Sequence, residues 1–277
     1  MFGVVLIGVA QLFAEVSTSL GKYEIERKHE SVYRMGFLHA FWATFFLIGI
    51  AIYTGNWIFS LASLPTFTAR VILEIVLAIV NVHAVVSADR STFAFLRTLT
   101  IPLLLAVDVA LGYSISLAQM AGISAMVVGF TLLTLNHGLS RTGKILSLFS
   151  ALIPVGTLTL YKYNITHFNS VEAEQAILHV VLVAALVIVA WVRTGENLFT
   201  HLFRPSYVLQ SVAAGIATVL LSYAYLYAPA SIITAGKRGF EILGAIAFGR
   251  AVFKEKHVLI KFVSCAIIVG GIVLILF

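Results

Sequence analysis

The chain has 277 residues, 60% of them hydrophobic and only 11% charged, where a soluble domain carries about 25% charged residues. The excess apolar surface needs lipid as its solvent, which excludes a water-soluble globular protein. The formal net charge of +6 comes without a basic run interleaved with aromatics, so no nucleic-acid surface is expected, and the charge reads as retention of loops on one side of a membrane.

At about 20 residues per span, the apolar runs predict ten helices, near residues 2–20, 33–53, 67–86, 92–111, 117–135, 145–162, 176–192, 207–226, 231–253 and 258–277. The first run follows Met1 with no basic region before it, so it is expected to stay as a helix of the mature protein. Most of the 18 Lys and Arg residues, from Lys22 and Arg27 to Lys256 and Lys261, fall in the odd-numbered loops and their flanking turns. Arg70 and Lys162 lie on the other side, while Arg97, Lys237 and Arg238 lie within predicted spans. Such asymmetry predicts cytoplasmic odd loops and both termini outside, in a multi-pass protein of a cell membrane, read as a bacterial inner membrane.

A shift of about 140 residues lays Ala84 to Gly129 over Ala224 to Val269, and Arg97 then falls on Lys237. Five spans per half is an odd number, so the halves 1–138 and 139–277 are expected to be inverted repeats forming one transport domain. The fold class expected is therefore all-α, with ten transmembrane helices in two inverted five-helix repeats. Inversion brings Arg97 and Lys237 in from opposite faces, each roughly 9 to 10 Å deep in a core roughly 30 Å thick. Inverted-repeat transporters hold substrate near that depth.

The ninth helix carries Lys237, Arg238 and Glu241 in its interior, where inserting each charge costs roughly 2.5 to 3.5 kcal/mol. Ser231, Thr234, Lys237 or Arg238, and Glu241 share one face at three- and four-residue spacing. That face is read as one wall of a binding cavity, with Glu74 and Tyr225 on neighbouring spans and Glu15 of the first helix as a proton carrier. Polar stripes recur on helix one (Gln11, Glu15, Thr18), three (Arg70, Glu74, Asn81), six (Ser147, Thr157, Tyr161) and eight (Ser211, Thr218, Ser222). Helices five and ten carry no ionisable residue in their interiors.

Ten helices in two inverted halves, with the stretch from Ser222 to Leu276 and its Y-A-Y-L-Y-A-P-A-S-I-I-T and G-R-A-V-F-K-E-K-H segments, resemble the drug/metabolite transporter superfamily, its EamA-type branch most of all. The adjacent Lys237-Arg238 looks like the pair with which sugar-phosphate translocators bind phosphate, and Arg97 stands where those proteins place a further basic residue. Ala14-Glu15-Val16 looks like the first helix of small multidrug resistance proteins, whose membrane glutamate exchanges protons for substrate. The resemblance implies a secondary transporter for a small anionic or zwitterionic metabolite. In the family fold helices five and ten stay outside the central cavity, which agrees with the lack of ionisable residues in their interiors. Rival readings are a flippase-type subunit for a lipid-linked sugar phosphate and a non-transporting scaffold whose charges pair off. The resemblance also leaves open a monomer or a homodimer.

Bland readings stand beside these. Ser and Thr in a membrane helix mostly hydrogen-bond backbone or glue helices, Arg70 with Glu74 reads as a local i,i+4 pair, and Asp108 reads as solvated near a helix end. His39 and His179 read as packing residues, and Asn164-Ile165-Thr166 is too short a match to carry glycosylation. No metal site is expected from eight scattered histidines and the lone Cys265. No cofactor is expected either, and no nucleophile stands beside a base, so an enzyme is not expected.

Overall fold

A computed structural model describes residues 2–88, 93–94, 96–135, 143–251 and 258–276. The expected basic loop from Lys254 to His257, with Arg90 and Arg141, lies outside the described residues. Ten α-helices lie among those described: α1 Phe2–Glu26, α2 Val32–Thr54, α3 Leu64–Ser87, α4 Thr100–Ala110, α5 Leu117–Leu135, α6 Lys144–His167, α7 Val171–Thr194, α8 Pro205–Ala224, α9 Ala230–Ala251 and α10 Val258–Leu276. Each falls on an expected segment, though α1 runs on to Glu26, past its expected end at residue 20, and α6 to His167, past its expected end at residue 162. Arg97–Leu99 forms a 3-10 turn that follows helical Phe93, Ala94 and Leu96 and runs into the short α4. Helix α7 begins at Val171, five residues before the predicted start, because Ser170 caps it and Glu172 and Glu174 in its first turn complement the helix dipole.

Six of these segments are long and apolar enough to cross a membrane: Phe2–Glu26, Val32–Thr54, Leu61–Ser87, Lys144–His167, Val171–Thr194 and Pro205–Ala224. A helix such as α1, at 1.5 Å per residue, is about 37 Å long and exceeds the hydrocarbon thickness. Large apolar side chains also stand fully out from the bundle, Ile52, Leu117, Ile145 and Val192 among them. A surface of that kind is stable in lipid and a liability in water, so the chain is a multi-pass membrane protein.

In lipid the helices gain little from burying apolar surface against one another, and close backbone approach decides which pairs form. Helix α5 pairs with α10 across Gly271, where a Cβ would meet the Gly122 carbonyl oxygen at 2.7 Å. The other large pairings set α1 on α8 and α9, α2 on α7 and α8, α3 on α6 and α4 on α9. Each joins an element of 1–138 to one of 139–277. At one end of the bundle the loop after α1 meets the loop after α7, through Ser31 Oγ donating to Glu196 and Arg34 donating to the Asn197 carbonyl at 3.1 Å. At the other end the loop after α6 meets the loop after α2, through Ser170 N–H to the Ile58 carbonyl at 2.8 Å and Ser60 N–H to Asn169 Oδ1 at 2.9 Å.

The two halves repeat their helix-boundary chemistry about 140 residues apart. Ser31 and Ser170 cap α2 and α7, accepting from Arg34 N–H and Ala173 N–H. Thr54 and Thr194 close the same helices with hydroxyls on the carbonyls four residues back, at 2.9 and 2.8 Å. Left-handed Gly55 (φ 65°) and Gly195 (φ 67°) follow them, and Pro65 and Pro205 open α3 and α8. Nothing lies within 4 Å of a Cβ built on Gly55 or Gly195, so alanine at either meets only the backbone cost of the left-handed conformation. Gly55→Ala and Gly195→Ala are each expected to lower stability by about 1 kcal/mol, read as matching falls in unfolding midpoint in detergent.

Candidate binding cavity

Helix α9 is anchored at its start by Asp108 of α4. Ser231 N–H donates to Asp108 Oδ2 at 2.7 Å, and Asp108 is only 2% exposed. The carboxylate therefore caps a helix N-terminus from inside the bundle rather than being solvated as expected. One turn on, Thr234 is fully buried and its hydroxyl lies 3.2 Å from Tyr225 Oη; the Tyr225 ring meets Tyr161 edge-on at 5.7 Å. Tyr161 in turn donates to the Ser222 carbonyl at 2.9 Å. These contacts fix the rotation of α9 and hence where its charges point.

Glu241 holds two guanidiniums. Its Oε2 accepts from Arg238 Nη1 at 2.6 Å and its Oε1 from Arg97 Nη1 at 2.8 Å. One carboxylate thus bridges two guanidiniums, one from each half of the chain. Arg238 is 1% exposed and Arg97 lies over the Phe93 ring at 4.8 Å. Adjacent residues on a helix point about 100° apart, so Lys237 leaves the clamp and faces the cavity. It makes no hydrogen bond or ion pair among the described residues, and neither does Glu74 of α3.

The cavity has two lobes of about 220 Å³ each. The first extends toward the end that carries the loops after α1 and α7 and is lined by Gln11, Glu15, Thr18 and His39. The second extends toward the opposite end, past Glu74, Thr157, Tyr161, His179, Tyr225 and Thr234. Five residues line both lobes: Asn81, Arg97, Thr218, Leu221 and Lys237. Asn81 Oδ1 and Thr157 Oγ1 are buried polar atoms without a partner among the described residues, placed to meet a polar ligand. Among the described lining residues none comes from α5 or α10.

No family model matches this chain, and no curated protein does. The chain is similar in fold to solved structures. One, described only as a crystal structure of a protein, superposes with a TM-score of 0.72 at 15% identity, over 99% of this chain and 95% of that one. At that identity the likeness is one of fold alone.

The expected site residues thus divide. Arg97, Arg238 and Glu241 form the clamp; Lys237, Glu74, Tyr225 and Thr234 line the cavity. Ser231 serves α9 through its backbone, and its hydroxyl is buried without a partner among the described residues. Glu15 is 5% exposed on the first lobe and accepts from Ser19 Oγ at 3.1 Å. Arg70 does not pair with Glu74: it donates to Glu174 Oε1 at 2.7 Å and Gln175 Oε1 at 3.0 Å, over the Tyr161 ring at 4.3 Å. Asn164 is fully buried and donates to the same Glu174 oxygen at 2.9 Å, so it offers no glycosylation acceptor. His39 and His179, read as packing residues, both line the cavity.

Proposed function

We propose that this chain is a secondary transporter of the drug/metabolite type, built from two inverted five-helix repeats. It would move a small anionic or zwitterionic metabolite by alternating access. The observation that carries this reading is the pair of lobes, one toward each end, that meet at Lys237 and Arg97. Alternating access needs a site reachable from both sides in turn. The boundary residues repeated between halves and the cross-half pairing of α1 with α8 and α3 with α6 support the two repeats.

Lys237, facing both lobes beside the clamp, favours a phosphate or carboxylate, which Lys meets as a point charge. Glu74 across the second lobe favours a substrate that also carries an ammonium group. Without a nucleotide-binding motif, the cycle runs as exchange or on a proton gradient, with Glu15 as the carrier facing the first lobe. The basic end is cytoplasmic and both termini lie outside, in a cell membrane. A scaffold whose charges all pair off is disfavoured by Lys237, which makes no direct ion pair among the described residues.

A thermal-shift screen of sugar phosphates, nucleotide sugars, amino acids and choline-like cations tests the reading. A ligand at a hundred times its dissociation constant stabilises the folded protein by about 2.7 kcal/mol. An anionic or zwitterionic compound is expected to raise the unfolding midpoint, and Lys237→Ala to erase that shift. Stabilisation by cations alone would overturn the substrate class.

A further inference from the structure

At the basic end, the turn after α1 is held by its own backbone. His29 N–H donates to the Glu24 carbonyl at 2.9 Å, and Lys28 adopts a left-handed φ of 61°. This places Glu30 against Gln210 of α8, with Gln210 Nε2 donating to Glu30 Oε1 at 3.0 Å. Glycine at position 21 makes room, since a Cβ there would stand 2.7 Å from Gln210 Nε2. Glu30 is 6% exposed and Gln210 is fully buried. Two acceptors are left over in this contact, Glu30 Oε2 and Gln210 Oε1, both buried and without a partner among the described residues.

An ionised Glu30 adds a buried charge beside two acceptors that lack a donor among the described residues, and the Gln210 amide oxygen can itself only accept. A neutral carboxyl supplies one O–H. We propose that Glu30 is a proton-binding site, and that its neutral carboxyl, paired with the Gln210 amide, is the latch holding the basic end of the bundle closed. The latch rests on reading that end as one gate of a transporter; the protonation of Glu30 does not.

The surrounding charges agree. Glu24 on α1 and Glu196 on the loop before α8 both disfavour a second anion. Arg34 of α2 favours one, but it is held by Glu196 at 2.9 Å and by the Asn197 carbonyl. Arg204 and His29 are turned to Glu24, at 3.5 and 3.1 Å, and Lys22 donates to the Ala88 carbonyl at 3.3 Å. Burial, with those carboxylates adding to it, pushes the Glu30 carboxyl from 4.5 up to about 8. The closed form then binds more protons than an open form with a solvated carboxyl. Closure therefore weakens as pH rises from 4.5 to about 8, by up to about tenfold per pH unit, and is flat outside that window.

Two measurements on the purified full-length protein test this, without substrate. In infrared difference spectra, the acid carbonyl band is expected in the wild type, to fade as pH rises through about 8, and to be missing from Glu30→Gln. The second uses Cys265→Ser with Ser17→Cys, a reporter that lines the first lobe. Its thiol-labelling rate is divided by the rate in the same protein carrying Glu30→Gln, which cancels the thiol's own pH dependence. That ratio is expected to climb at least tenfold between about pH 5 and about pH 8, and to keep climbing when His29→Gln is added. A spectrum indifferent to Glu30→Gln overturns the proton site, and a ratio that stays flat, or depends on His29, overturns the latch. Neither result depends on whether the chain moves a solute.

Discussion

Lys237→Ala is expected to cut uptake into proteoliposomes by about 10- to 100-fold, while the detergent-purified protein stays folded at an unchanged or slightly higher unfolding midpoint. A charge-assisted contact to an anionic group is worth about 1.5 to 3 kcal/mol, and each 1.4 kcal/mol is about tenfold in affinity. Stability is spared because Lys237 has no ion pair among the described residues to lose, and its removal relieves repulsion from the Arg97–Glu241–Arg238 clamp beside it. Arg238→Ala is less diagnostic: it leaves Glu241 with one guanidinium and lowers uptake and stability together. Lys237→Arg keeps the charge on a larger, planar head and should retain part of the activity. Normal uptake by Lys237→Ala in a folded protein would remove the cavity assignment.

What sequence could and could not disclose here follows from the range of each interaction. Local periodicity carries the helices and the polar face of α9, because the burden of a charge in lipid can be read along a single helix; the place of α5 and α10 outside the cavity comes from the resemblance. It cannot choose between Lys237 and Arg238. They lie on neighbouring faces of α9, and the choice is made by Glu241 together with Arg97, which is 144 residues from it. The same limit misassigns Arg70: Glu74, one turn away, is the local candidate, whereas Glu174 reaches it only once α7 has packed beside α3. Glu172, Glu174 and Gln175 look like loop because three polar residues interrupt the apolar run, yet acidic residues after a capping serine are also how a helix begins. Asp108 looks solvated by depth alone until Ser231 of α9 is laid against it.

Glu174→Ala is expected to lower stability by about 3 to 5 kcal/mol, the cost of stranding a buried cation. Glu174 is fully buried and accepts from Arg70, Asn164 and Asn169, which join α3, α6 and the loop before α7 at the end opposite the Glu30 latch. Without it, Arg70, 2% exposed, keeps only the Gln175 oxygen and the Tyr161 ring. At the other end, Glu196→Ala should cost about 1 kcal/mol, since the Arg34–Glu196 side chains are 10% and 21% exposed and Arg34 keeps the Asn197 carbonyl. Unfolding midpoints in one detergent compare the two. The double replacement Arg70→Met with Glu174→Leu separates causes: if charge desolvation sets the loss, it should regain most of the wild-type midpoint. If packing around Glu174 sets it, the double replacement falls below Glu174→Ala. Because this network ties α3, α6 and α7 around the second lobe, Glu174→Ala should also speed labelling of a cysteine placed at Thr157. A midpoint within about 1 kcal/mol of wild type would mean that the Arg70–Glu174 pair does not hold that end together.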